Sequence, residues 1–155
     1  MRFSISQVLL CLVIGCAVVP QSAMHQQKYF PEGLSEVYLG MTYEFMNKTR
    51  EATQLEPVEW SADSTLLAYQ EVHSDKAFDR VIYFFDAEGD QLLFEMAVEY
   101  PDGINPEEVA AKLYGGPNAD EGEWYFEDEE YGDRLSMWIN GQQLVISNRS
   151  IRTSE

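Results

Sequence analysis

The chain has 155 residues, enough for one ordinary domain, with 10 basic against 27 acidic side chains and a formal net charge of −17. Apolar residues make up 45% and aromatic residues 13%, which supports a buried core and argues against disorder. Because so negative a surface repels phosphate groups, we expect no nucleic-acid partner, and a membrane contact only through a lipid anchor.

The first 23 residues have the pattern of an export signal. One basic residue precedes an apolar run over residues 8–19, which is too short for a membrane-spanning helix of about 20 residues. Two processing modes remain open. The tetrapeptide Val-Ile-Gly-Cys ending at Cys16 resembles a bacterial lipobox, which makes Cys16 the lipidation candidate, whereas ordinary cleavage falls near Ala23. Cys11 also lies in this segment, so the mature domain has no thiol for a disulfide, a metal site or a nucleophile.

A polar lead-in over residues 24–38 precedes one α+β domain over residues 39–155. Thr42 is the expected N-cap of a first helix that runs to about Ala52. Met41 and Met46 have the spacing of a hydrophobic staple across that helix start.

Six runs of apolar, aromatic and β-branched residues predict strands, and a short seventh run predicts an edge strand. In one of them the period of two predicts that Leu92, Phe94, Met96 and Val98 share one face, while Glu95 and Glu99 point the other way. Asn140-Gly141 and the stretch 86–90 are the predicted hairpin turns. The seven runs cover residues 58–60, 66–73, 80–85, 91–100, 123–126, 134–139 and 143–148.

A second helix is predicted to follow Asn105, which is a favourable N-cap. Pro106 suits the first helical position, and Glu108 stands where a capping box needs an acid. Gly115 and the proline at 117 end this helix, since glycine accepts the left-handed conformation and proline cannot continue the helix.

Two halves of the chain resemble each other. Asp79-Arg80-Val81 recurs as Asp-Arg-Leu at residues 133–135, and Gly-x-Gln-Leu occurs at both 89–92 and 141–144. Each half also places a helix before its strands. We therefore expect an antiparallel sheet of four to seven strands with two helices packed on one face. It is built as a tandem repeat of helix-plus-hairpin units over about 39–100 and 105–151.

Short motifs carry a family resemblance. Gly40-Met41-Thr42, Glu108-Val109 and the stretch 114–117 (Tyr-Gly-Gly-Pro) resemble the Gly-Met-Thr, Glu-Val and Leu-Gly-x-Pro motifs of small exported bacterial domains. These are outer-membrane lipoproteins of the SmpA/OmlA type, found in the barrel-assembly machinery; β-lactamase inhibitory protein has a related tandem fold. In this chain the motif is split between the two halves. The resemblance implies a non-enzymatic, envelope-associated binding or scaffolding role and assigns no residue.

The acidic tract, residues 120–133, holds eight carboxylates and no basic residue before position 134. We expect it to lie on the surface, because mutual repulsion is tolerable only where water and salt screen it. It is interpreted either as a solvated turn or as a recognition surface for a basic protein. The partner-binding candidates within it are Trp124, Tyr125, Glu127, Asp128, Glu129, Glu130 and Tyr131.

A second candidate surface is aromatic. Trp138 lies on the strand face opposite Leu135 and Met137, and Phe84 occupies the matching position of the other half. An exposed pair on the face away from the helices marks a contact site. The alternative is that another segment covers it.

Catalytic signals are weak. His25 and His73 have no cysteine or second histidine at ligand spacing, and no nucleophile elbow is present. The acidic turns lack the ligand order of a calcium loop. We expect no cofactor, no metal and no catalysis. The expected function is an exported periplasmic, outer-membrane or secreted domain that binds another protein. The alternatives are a secreted inhibitor or immunity-type protein, and an enzyme with carboxylate chemistry.

Overall fold

A computed structural model of the chain describes residues 21–34, 36–50, 55–58, 66–73, 77–148 and 150–151. The lipidation candidate Cys16 and most of the expected export signal therefore lie outside the described residues. So do the expected end of the first helix near Ala52 and the last two positions of the expected edge strand, Glu59 and Trp60.

Three helices and seven strands make up the described fold. The helices are α1 (Gln21–Gln26), which continues into a 3₁₀ turn at Gln27–Tyr29, α2 (Tyr43–Thr49) and α3 (Pro106–Tyr114); a further 3₁₀ turn lies at Asp120–Gly122. The strands are β1 (Glu56–Pro57), β2 (Leu66–Val72), β3 (Arg80–Asp86), β4 (Leu93–Glu99), β5 (Trp124–Asp128), β6 (Asp133–Asn140) and β7 (Gln143–Asn148).

All seven strands join one antiparallel sheet in the order β1-β2-β3-β4-β7-β6-β5. The α+β class is thereby confirmed, as are six strand positions to within about two residues. The edge strand begins at Glu56, earlier than expected; Glu56 and Pro57 pair with Gln70 and Tyr69, and the Val58 N–H donates to the Ala68 carbonyl at 2.9 Å. Proline has no N–H to donate, so Pro57 suits this outermost position.

The sheet buries side chains on both faces. One face carries the larger apolar cluster, which includes Tyr83, Met96 and Met137 together with Met46 of α2 and Ala110 of α3. The other face carries a smaller cluster. Its buried members are Ala68, Ile82, Phe84, Phe94, Ala97 and Val145, with Trp138, Val58, Leu66 and Ile151 packed against them.

A register shift in β4 corrects the predicted alternation. The pairing between β3 and β4 shifts at Phe84/Phe85, so that Phe84 faces Glu95 and Phe85 faces Leu93. Phe94 therefore turns to the smaller cluster while Leu93 joins the larger one. A bulge adds one residue to the strand and so reverses the alternation of the side chains before it, Leu93 and Phe94 here, without changing composition, which is why the sequence pattern conceals it.

The lead-in expected to be polar is packed into the domain. Phe30, Leu34 and Val37 are buried in the larger cluster. Gln26 is 2% exposed, and its side chain accepts from the backbone N–H of Leu39 at 2.9 Å and donates to its carbonyl at 3.2 Å. This segment thus forms part of the core, because a few apolar side chains spaced among polar ones are sufficient to bury its backbone.

Both long helices begin as predicted. The Thr42 hydroxyl accepts from the Phe45 N–H at 3.2 Å, and the Asn105 side chain accepts from the Glu107 N–H at 2.9 Å. Met41 and Met46 are both buried in one cluster, as a hydrophobic staple requires. At the end of α3, Gly115 has φ 79° and ψ −156°, an extended positive-φ conformation instead of the expected left-handed one.

The two adjacent glycines after α3 provide a matched stability test. Gly115→Ala should lower the free energy of unfolding by about 1–3 kcal/mol, because only glycine adopts its backbone conformation without strain. Gly116→Ala should be near neutral, since a methyl group there meets open space and its φ is not positive. Urea melts of both variants measure the difference. Equal stabilities would show that α3 ends elsewhere.

Candidate functional site

The acidic tract forms the 3₁₀ turn Asp120–Gly122, β5, the turn after it and the first residue of β6. Five of its carboxylates are exposed, Glu123 and Asp128 are half-buried, and Asp133 is buried. The expected surface position therefore holds for most of the tract and is wrong for Asp133. Glu129 and Glu130 lie exposed at the turn itself, where water screens their charges.

Asp133 has a structural role. Its Oδ2 accepts from Gln26 Nε2 at 3.0 Å, and its Oδ1 accepts from Asn148 Nδ2 at 2.8 Å. Gln26 in turn bonds the Leu39 backbone. A buried carboxylate needs such donors to offset its loss of hydration, so Asp133 joins the amino-terminal segment to the sheet and is not available to a partner.

Asp128 organises the turn after β5. Its Oδ1 accepts from the backbone N–H groups of Glu130 at 3.0 Å and Tyr131 at 3.2 Å. Its Oδ2 lies 2.9 Å from Nδ1 of His25, whose ring centroid is 5.0 Å from that of Tyr131. Both Asp128 and Tyr131 thus hold the turn against α1.

The aromatic residues of the tract divide between core and surface. Trp124 is 3% exposed and donates from Nε1 to the Gly115 carbonyl at 2.9 Å, so it is built into the fold and is not an exposed anchor. Tyr125, 37% exposed, is a genuine surface aromatic. The two residues differ because alternate side chains of a strand point to opposite faces of the sheet.

Phe84 and Trp138 do not form the expected exposed pair. Strands β4 and β7 separate β3 from β6, and Trp138 pairs with Val145 while Phe84 pairs with Glu95. Phe84 is 7% exposed within the smaller cluster, and Trp138 is half-buried at its margin. Phe84 is therefore a core residue, and only Trp138 keeps a surface to present.

Trp138 lines a groove of about 610 Å³, named here the acidic groove. β5 begins at Trp124, opposite Met137, so Trp138 and Ile139 of β6 lie beyond the end of the neighbouring strand. The groove lies at this end of the sheet and is lined from both faces, since Ile139 packs with the larger cluster on the α3 face and Trp138 with the smaller cluster on the other face. Its lining comprises Glu107 and Ala111 of α3, Pro117 and residues 121–123 of the connection to β5, and Trp124, Trp138 and Ile139.

A shallower depression of about 360 Å³ adjoins the acidic groove. The two share Glu121 and Glu123, and the depression extends to Asp120, Tyr125 and Ser136. Together they bring acidic side chains from α3 and from the connection alongside Trp138 and Tyr125. Sequence reasoning missed Glu107 here, since its only sequence signal is a place in the first turn of a helix, where acids are common.

The outer edge of β5 is sealed at one point by a side-chain amide. Asn118 Oδ1 accepts from the Tyr125 N–H at 2.7 Å, and Asn118 Nδ2 donates to the Tyr125 carbonyl at 2.9 Å. These two bonds replace those of a neighbouring strand. They therefore block strand addition at Tyr125.

Titratable side chains also meet in the core, in the buried ionic cluster of Arg50, Glu71, His73 and Tyr83. Glu71 Oε2 lies 3.3 Å from Arg50 Nε and accepts from the Tyr83 hydroxyl at 2.7 Å, while Oε1 lies 3.2 Å from His73 Nε2. The side chains of Arg50, Glu71 and His73 are at most 8% exposed, and Tyr83 is fully buried.

This burial removes the side chains of the cluster from solvent, and His73 lies beside Glu71 within the core. The only sequence signal for the buried ionic cluster is Glu71 itself. Its carboxylate lies on the same strand face as Leu67 and Tyr69, which pack against the larger apolar cluster. Across the described part of the chain, no three or more His, Cys, Asp or Glu side chains are grouped to hold a metal ion.

Two arginine–glutamate pairs of similar length allow a direct test of burial. Glu71→Ala leaves the buried Arg50 guanidinium unpaired and should lower the free energy of unfolding by about 3–5 kcal/mol. Glu127→Ala removes a partner of the exposed Arg134, at 3.2 Å, and should cost less than about 1 kcal/mol. Urea unfolding of both variants measures the contrast, and similar losses would refute the burial of the Arg50 pair.

Alkaline pH should unfold the domain. Burial raises the pKa of Tyr100 to about 12. Burial also raises the pKa of Tyr83, assisted by the Glu71 charge, and that of Tyr114, assisted by Tyr100. A group whose pKa is higher in the folded state contributes stability below its unfolded pKa, which is about 10 for tyrosine, and loses that contribution above it.

Stability should therefore fall progressively as the pH rises from about 10 towards 12. Absorbance at 295 nm follows tyrosine ionisation and circular dichroism follows unfolding in parallel. We expect a delayed group of tyrosines to ionise together with the loss of structure. Complete ionisation in a still-folded protein would contradict the burial of these hydroxyls.

Comparison with known proteins does not extend these observations. The chain matches no protein-family model, no curated protein and no solved structure. The resemblance to SmpA/OmlA-type lipoproteins thus stays a prediction from short motifs. None of the helices within the described ranges is long and apolar enough to cross a membrane.

Proposed function

We propose that this protein is an exported, non-catalytic domain of the cell envelope or the secreted space that binds another protein through the acidic groove. The observation that carries the proposal is the groove itself, in which Glu107, Glu121 and Glu123 flank Trp138 and Ile139. The partner surface is basic, with an apolar side chain at its centre.

The chemistry of the groove favours that partner. Trp138 and Ile139 offer apolar surface, and the Trp138 ring can also receive a lysine or arginine cation on its face. The three glutamates attract such a cation and disfavour acidic competitors. With a net charge of −17, the whole protein also steers a basic partner towards encounter.

The walls of the groove are held by the fold. The Trp124 indole donates to the Gly115 carbonyl at 2.9 Å, which ties the end of α3 to β5. Trp138 packs against the smaller core cluster, and Ile139 packs against the larger one. Binding therefore orders few new groups, which lowers its entropic cost.

The same proposal includes a duplicated architecture. The strand order β2-β3-β4-β7-β6-β5 places the third strand of each half at the centre, the second beside it and the first outermost. Two units of one helix and three strands would give this order. Each unit's helix, α2 or α3, contributes a buried residue to the larger cluster. These features support two helices on one face and a repeat of a helix with a three-stranded meander.

Export is proposed with cleavage upstream of α1, at Cys16. The rival cut near Ala23 falls inside α1, which spans Gln21–Gln26. Because His25 and Gln26 bond the sheet through Asp128 and Asp133, a cut before Cys16 leaves this docked helix whole. A lipid on Cys16 would then hold the domain at a membrane surface.

Two triple variants with the same change in charge test the groove. In the first, Glu107, Glu121 and Glu123 become Gln; in the second, Glu127, Glu129 and Glu130 become Gln. The probe is a fluorescent peptide of alternating Lys and Leu, with a Glu/Leu peptide as its acidic counterpart. Asp128 is left unchanged because it organises the turn.

The groove variant should weaken binding of the basic peptide by roughly tenfold or more. The turn variant should weaken it by about threefold or less, mainly by slowing association. Trp138→Ser should also weaken binding of the basic peptide, and the salt dependence of that binding should stay unchanged. Fluorescence anisotropy and stopped-flow rates report these effects. If the two triple variants lose the same affinity for the basic peptide, binding depends on net charge alone and the groove is excluded as the site.

A further inference from the structure

A short stretch of sheet edge borders the acidic groove and has no neighbouring strand. β5 begins opposite Met137, so the last three residues of β6, Trp138, Ile139 and Asn140, extend beyond it. On their other side these residues pair with β7 as far as the hairpin, where Asn140 faces Gln143. The edge of β6 is therefore open over these three residues.

Ile139 directs its backbone N–H and C=O towards this open edge. Only two residues separate Asn140 from Gln143, so this closing pair of the hairpin exchanges both of its hydrogen bonds. Bonding direction alternates from residue to residue along an antiparallel strand, so Ile139 points its N–H and C=O away from β7. Within the part of the chain that the structure describes, neither group has a hydrogen-bond partner.

The adjoining edge of the sheet, in contrast, is closed. The Asn118 side chain bonds both the N–H and the C=O of Tyr125 on β5. None of the described residues covers Ile139 in this way, and Ile139 lines the acidic groove together with Trp138, both of them half-buried. A free N–H and C=O on a strand edge are the groups that an extended peptide bonds when it adds to a sheet.

The two faces of the groove determine which side chains such a peptide carries. In an antiparallel pair, the side chains of opposite residues lie on the same face. A residue opposite Ile139 lies on the α3 face, where Ile139 and Ala111 offer apolar surface. A residue opposite Trp138 lies on the other face, where the indole can receive a cation. Glu121 and Glu123, which also line the groove, attract that cation.

We propose that an extended segment of the basic partner adds to the sheet as a short antiparallel strand beside β6. One apolar residue of that segment exchanges both backbone hydrogen bonds with Ile139, and the basic residues on either side of it lie opposite Trp138 and Asn140. A second copy of this chain fits the edge less well, because the glutamates of the groove repel its net charge of −17. This inference rests on the proposed function and adds backbone recognition to it.

The test uses the capped peptide acetyl-Gly-Lys-Leu-Lys-Gly-amide and three forms of it, each N-methylated at one of the three central residues. All four peptides carry the same charge and the same side chains. N-methylation of the Leu removes the N–H that donates to the Ile139 carbonyl, whereas the N–H groups of the two Lys residues point away from β6. NMR titrations should give an affinity roughly tenfold or more lower for the Leu form, and within about twofold of the parent peptide for both Lys forms.

Hydrogen exchange of single backbone amides locates the added strand. At about 90% saturation with the parent peptide, exchange of the Ile139 amide should slow roughly tenfold, because only the free protein then exchanges. The Trp138 amide is the control. It bonds to Val145 of β7 with or without the peptide, so its exchange should change little.

The outcomes separate this inference from the proposed function. Equal affinities for all four peptides, or an Ile139 amide that the peptide leaves unprotected, overturn strand addition. If the Glu107, Glu121 and Glu123 triple variant still weakens binding in that case, side-chain recognition in the groove stands. If the triple variant binds as tightly as the unchanged protein, both fail. An Ile139 amide already protected in a peptide-free dimer would assign the edge to a second copy and overturn the inference.

Discussion

The pairing of β4 with β7 is the interaction on which the rest of the structure depends. It brings together two strands that are distant in the chain: Glu99 of β4 pairs with Gln143 of β7, which lies 44 residues later. Closing so long a loop costs entropy, and burial offsets that cost: Met96 and Val98 of β4, with Leu144 and Ile146 of β7, are fully buried. β6 is joined to β7 by a tight hairpin, and this pairing sets the position of Trp138 at the acidic groove.

The amino-terminal segment completes the fold from outside the sheet. Gln26 bonds both the Leu39 backbone and Asp133, and the Tyr29 ring lies 4.7 Å from that of Phe126. These contacts couple α1 to β5 and β6, the strands beside the acidic groove. Any change that detaches this segment would therefore reach the proposed binding surface through the sheet, since its polar anchors are buried and costly to leave unpaired.

Charge has two distinct functions in this molecule. Arg50 and Glu71 are buried with Tyr83 and help define a specific core, because each charge requires its partner in place. The glutamates of the acidic groove lie near the surface, where water and salt screen their charges and make each one far less costly than a buried charge. A net charge of −17 is tolerated because most of the carboxylates of the tract are of this second kind.

Local chemistry determined much of the fold in advance. Thr42 and Asn105 cap their helices as expected, and six strands lie where periodicity predicts them. Such features depend on neighbouring residues, so a single chain segment is sufficient to reveal them. The presence of an acidic surface with an aromatic component could be predicted in the same way.

Only the tertiary structure decided which residues form that surface. Trp124 and Asp133 are buried while Glu107 and Ile139 join the groove, and Phe84 is separated from Trp138 by two strands. Strand order, the bulge at Phe94 and the docking of Gln26 all set these positions. They arise from contacts between residues far apart in the chain, whose energies depend on packing in three dimensions and leave no local pattern in the sequence.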